Sequence, residues 1–127
     1  MSSQQLLLGA GSAKEKTYVD DVFSTYLYKG TSTATARNNG INLSGEGGMV
    51  WVKRRDGTTG HRLTDTVRGV TKSLESENSE AEGTETGGIE SFNNNGFTVG
   101  SDADYNATND NYASWTFRKA PGFFDVV

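Results

Sequence analysis

Apolar positions along the chain come in short alternating bursts separated by Gly, Asn and Asp, a rhythm that predicts strands and tight turns and no long amphipathic helix. The clearest burst is Tyr112 to Lys119, where Tyr112, Ser114, Thr116 and Arg118 alternate with Ala113, Trp115, Phe117 and Lys119. Met49-Val50-Trp51-Val52-Lys53-Arg54 is the other strong strand, closed by the turn Arg55-Asp56-Gly57. In it Val50, Val52 and Arg54 share one face, and Met49, Trp51 and Lys53 share the other. Both faces are partly apolar, which suits a central strand covered on two sides. Ile89 to Phe92 and Phe97 to Gly100 flank Asn93-Asn94-Asn95-Gly96 as a hairpin.

Shorter strands are expected at His61 to Val67 and Thr71 to Leu74, and a last one in Phe123-Phe124-Asp125-Val126-Val127, after the Pro121-Gly122 turn. From Thr17 to Tyr28 the β-branched and aromatic residues read as strand, while positions 19, 22, 23, 26 and 27 also fit one face of a helix. Residues 29–40 have turn composition, and Ile41-Asn42-Leu43 is a short alternating segment. Glu75, Glu77, Glu80, Glu82 and Glu85 sit among Ser, Asn, Thr and Gly with only Ala81 apolar, so 75–88 reads as a solvated acidic loop. The sum is an all-β fold, an antiparallel β-sandwich of jelly-roll or concanavalin-like type over residues 17–127. Residues 1–16 form an extended N-terminal arm whose only apolar anchor is Leu6, Leu7 and Leu8. The arm is by default a disordered terminus, and the sharper expectation is that the triplet docks on a partner and orders the arm as it does so.

Composition sharpens this picture. A chain of 127 residues is about one domain. Leu, Ile, Val and Phe make up only about a fifth of it, near the lower bound for a stable core. A domain of this size buries about two-thirds of its unfolded surface at best, so self-association is expected, with a trimer favoured. The absence of Cys removes disulfides, thiolate metal sites and Cys nucleophiles, and a single His removes multi-His metal sites. No cofactor is expected. The N-terminus lacks a charged leader, and its Leu run is too short to span a membrane, so no membrane insertion is expected. A net charge of -4 and a pI near 4.9 argue against nucleic-acid binding, which needs a Lys/Arg surplus.

Few residues suggest chemistry. Asp102, Asp104, Asn106 and Asp110 open with the 1, 3, 5 spacing of a calcium loop, but Ala107 stands where the loop needs Gly and Ala113 where it needs Glu. The competing reading is a turn cluster bonding its own backbone. His61 lies near Asp65, Thr58, Thr59 and Thr64, from which a triad could be composed, yet no nucleophile motif accompanies it. Lys53, Arg54, Arg55, Arg62 and Arg68 form a basic segment, either paired with acids such as Asp56 and Asp65 or free to dock a partner or phosphate. Trp51 and Trp115 could stack on sugars or pack in a core.

Several ordered motifs together carry a likeness: Phe23-Ser24-Thr25-Tyr26-Leu27-Tyr28, Gly45-Glu46-Gly47-Gly48-Met49-Val50-Trp51-Val52-Lys53-Arg54-Arg55-Asp56, His61-Arg62-Leu63-Thr64-Asp65-Thr66-Val67-Arg68-Gly69, and Phe92 to Asp102 with Ser114 to Val127. Across residues 17–127 the chain resembles the N-terminal region of virion proteins from tailed bacteriophages, especially marine and cyanobacterial phages. The resemblance implies concanavalin- or laminin-G-like sandwich units of a tail fibre or other appendage, a structural role without catalysis, and a virion location. It implies other virion proteins as partners, attachment to the virion through the N-terminal region, and Trp51, Phe97, Trp115 and Phe117 as sandwich core. Members of that family commonly continue beyond the stretch matching Phe123 to Val127. A glycan-binding, lectin-like module recognising a host surface glycan is the alternative expectation.

Overall fold

A computed structural model of the chain describes residues 17–127. The docking residues Leu6, Leu7 and Leu8 and the rest of the arm lie outside the described residues.

The fold is all-β, built from two antiparallel sheets packed together. The larger sheet has the order β1 (Phe23–Lys29), β9 (Asn111–Arg118), β3 (Gly48–Arg54), β4 (Arg62–Asp65). The smaller has the order β2 (Thr35–Asn38), β8 (Gly96–Val99), β7 (Ile89–Asn93), and a short ladder joins β5 (Lys72–Ser73) to β6 (Gly83–Thr84). Among the described residues single-turn helices precede β1, as α1 (Val19–Val22), and fill two connections, as α2 (Leu43–Glu46) and α3 (Ala103–Asn106).

Alternation decides what lies between the sheets. Val50 and Val52 of β3, Tyr28 of β1 and Tyr112 of β9 point inward and meet Phe97 and Val99 of β8, Ile89 of β7, and Ile41, Leu43 and Tyr105 from the connections. Tyrosines supply much of the volume that the sparse aliphatic residues cannot. Each keeps its hydroxyl engaged or shielded: Tyr28 donates to the Tyr105 carbonyl at 2.8 Å, and Tyr112 donates to that of Ala103 at 2.6 Å. Burial pushes the Tyr105 hydroxyl up to about 12 against the opposing Ser73 and Thr64 hydroxyls.

One expectation left open is decided by the structure, and three others are corrected. The segment from Thr17 divides into one helical turn and a strand, because α1 must bring Val22 under the sheet before Phe23 enters the ladder. Strand β2 lies inside the expected turn region, and its inward residue is the charged Arg37. Phe123 to Val127 contains no strand: with Gly122 at φ 76°, the chain reverses so that the Ala120 N–H donates to the Phe124 carbonyl at 3.0 Å. The acidic stretch contains β6, and several of its carboxylates are held by ion pairs described below.

Candidate binding surface

Because β3 and β9 are the central strands, their outward residues build a continuous strip. Trp51 stands directly opposite Trp115, and Met49 opposite Phe117, while on β1 Phe23 opposes Phe117 and Thr25 opposes Trp115. Trp51 and Trp115 are half-buried, their rings 5.2 Å apart and tilted by 53°. Phe117 is flanked by Phe23 at 5.0 Å, Phe124 at 5.3 Å and Phe123 at 6.4 Å, so the C-terminal turn folds over that end of the strip. An open cleft lined by Glu46, Lys119, Phe123 and Phe124 continues past it. At the other end Leu27 is 56% exposed. The core assignment of Trp51, Trp115 and Phe117 is therefore corrected: Phe97 alone of the four is in the core, and the other three share the outward face. The signal was in the strand itself, since Val50 and Val52 already occupy the inward positions flanking Trp51.

His61 is the polar partner of this strip. Its Nδ1 accepts from Trp51 Nε1 at 3.0 Å, and its backbone N–H donates to Glu77 Oε1 at 3.0 Å. Burial works to raise the Glu77 carboxyl, but that backbone bond, the backbone N–H of Glu77 itself and the nearby Arg62 charge together leave the group below its ordinary range. No triad is assembled around His61. The Asp65 carboxylate is occupied by the N–H groups of Val67 and Arg68 and by the Arg68 guanidinium at 2.9 Å.

Within the basic segment Arg54, Arg62 and Arg68 are paired with acids, while Lys53 donates to the Arg54 and Gly57 carbonyls and Arg55 to that of Tyr112. Arg54 bonds Asp56 at 2.9 Å and Asp110 at 3.2 Å, and Arg68 reaches both Asp65 and, at 3.6 Å, Glu82. Arg62 is the hub of the largest cluster, gripping Glu75 and Asp104 closely and Glu85 at 3.5 Å. Burial opposes the Arg62 charge, and the Asp104 hydrogen bond with the charges of Asp104, Glu75 and Glu85 overcomes it. One guanidinium thus tethers the acidic stretch to β4, which is why Glu75 and Glu85 are not freely solvated.

The four residues of the calcium-like spacing have separate tasks. Asp102 caps α3 by accepting from the Asp104 N–H at 2.8 Å, Asp104 pairs with Arg62, and Asp110 pairs with Arg54. Asn106 is fully buried: its Oδ1 accepts from Arg37 Nη2 at 2.9 Å and from the Thr31 N–H at 3.0 Å, and its Nδ2 donates to the Thr33 and Gly100 carbonyls at 2.8 Å. Among the described residues no group of three or more His, Asp or Glu side chains is placed to hold a metal ion. Among the same residues no helix is long and apolar enough to cross a membrane.

Fold and surface together define an all-β sandwich module with an aromatic outward sheet face. The chain belongs to a family described as a domain of unknown function (DUF7483), whose model matches residues 19–123. No curated protein and no solved structure matches it.

Proposed function

We propose that this chain is a non-enzymatic structural component of a tailed-phage virion, in a tail fibre or other appendage, and that it binds neighbouring virion proteins through the outward face of its four-stranded sheet. The observation that carries the binding role is the half-exposed strip of Trp51, Trp115, Phe117 and Met49, ending in the exposed Leu27. Contiguous apolar surface on a small domain marks an interaction site, and aromatic residues are the side chains most enriched at the energetic centres of interfaces. The phage assignment is supported by the ordered sequence motifs and not by the sandwich, since one fold hosts many functions. Quantifying the chain by mass spectrometry in particles of the phage that encodes it tests the reading. A constant copy number per particle is expected, and its absence from particles would overturn it.

A second reading, a lectin-like module, is favoured by the same tilted Trp51 and Trp115 rings, which offer π-faces to a sugar beside the polar His61 and Lys53. Saturable binding of a host-surface glycan, with a rise in Tm and quenching of Trp emission, would select it over protein assembly.

A further inference from the structure

We propose that the outer edge of β1, which among the described residues pairs only with β9 on its inner side, pairs with β1 of a second copy of this chain, antiparallel about a two-fold axis at Thr25, joining two four-stranded sheets into one. The inference stands apart from the virion assignment and rests on how the edges of the molecule are treated.

Within the sheets of the described residues, β1 pairs with β9 alone, and it does so over seven residues without a bulge. Other edges are shortened or covered. Strand β2 has four residues, β4 meets Leu74 through a bridge at Leu63, and the Ile89 carbonyl of β7 accepts from the Thr71 N–H. A long, regular edge, uncharged from Phe23 to Tyr28, is what soluble proteins ordinarily avoid unless it is used for pairing.

The direction of the backbone groups on β1 follows from its neighbours. The Gly30 N–H donates to the Asp110 carbonyl, and Ser114 Oγ donates to the Tyr26 carbonyl, so the even-numbered residues face β9. The odd-numbered residues face outward, as the Arg37 guanidinium on the Lys29 carbonyl confirms. That bond occupies the Lys29 end and leaves Phe23, Thr25 and Leu27 presenting N–H and C=O to a partner.

These residues are self-complementary. With the axis at Thr25, Thr25 faces its own copy, and Phe23 of each chain faces Leu27 of the other. That arrangement gives a Thr–Thr pair flanked by two aromatic–aliphatic pairs, both kinds that stabilise antiparallel ladders. It covers Leu27, which is otherwise 56% exposed. Antiparallel strands related in this way form an isologous two-fold contact, which gives a dimer and not the trimer anticipated from composition.

Sedimentation equilibrium of the full 127-residue chain tests this. The mass is expected to rise with concentration from 13.7 kDa to twice that value and no further. Thr25 is exposed, so Thr25→Lys and Thr25→Glu leave the fold intact by circular dichroism. Each puts like charges face to face across the axis and is expected to weaken self-association by at least about tenfold. An equimolar mixture of the two variants is expected to restore the dimer. A chain that stays monomeric at millimolar concentration, a trimer, or a dimer indifferent to both variants or not restored by mixing would overturn the proposal.

Discussion

Trp51 Nε1 donates to His61 Nδ1 at 3.0 Å, a bond from β3 to the residue just before β4 that sets the tilt of the central indole on the outward sheet face. An imidazole nitrogen accepts only when bare, so the bond places the His61 proton on Nε2. His61→Ala is expected to cost about 1 kcal/mol in urea denaturation, and to shift Trp emission to longer wavelength as the indole is released into water. An unchanged midpoint and emission would show that the bond does not position the ring.

Asn106 is the polar centre of the core, and its Oδ1 accepts from the guanidinium of Arg37, which lies 4.2 Å over the Tyr28 ring. Asn106→Ala leaves that buried cation and several backbone groups without their partner. A loss of about 3 kcal/mol is expected, and one below about 1 kcal/mol would contradict this account.

Burial raises the Glu85 carboxyl, Asp102 and Asp104 add to the rise, and Arg62 opposes it. A carboxyl with a folded value above its unfolded one favours folding when protonated. Its contribution is therefore full below about pH 4 and lost as pH rises through the raised value. Glu85→Gln, which is neutral at every pH, is expected to melt higher than the parent at pH 7 and level with it at pH 4. Melting lower at pH 7 would show that the pairing with Arg62 dominates.

A Cβ at Gly48 would lie 2.1 Å from the Phe117 carbonyl oxygen and 2.8 Å from Leu43 Cδ2, so β3 and β9 could not keep their register. At Gly69, with φ +99° and open space around it, the same change meets only backbone strain. Gly48→Ala is expected to cost about 3 kcal/mol and Gly69→Ala about 1 kcal/mol, read from paired thermal melts. The reverse order would contradict the packing described.

Strands β3, β7, β8 and β9 were legible in the sequence because their alternation or hairpin turn is strong. Strand β2 was not, since its inward residue is Arg37, a charge whose partners Asn106, Lys29 and Tyr28 come from elsewhere in the chain. Phe123 and Phe124 read as strand by composition, but Gly122 turns them back onto Phe117. Of the binding surface, the two apolar faces of β3 were visible. Which of them lay outside was not, because that depends on where the smaller sheet packs. The acidic stretch concealed its anchor for the same reason, as Arg62 lies on a separate strand.

On the function proposed above, the outward aromatic strip is the surface by which this chain joins a virion. Oxidative footprinting of Trp51 and Trp115, in the isolated chain and in intact particles, tests it most directly. Both indoles are expected to react in the free chain and to be protected at least about tenfold in the particle, as at the desolvated centre of an interface. Equal reactivity in the two states would contradict the account and move the contact to another face.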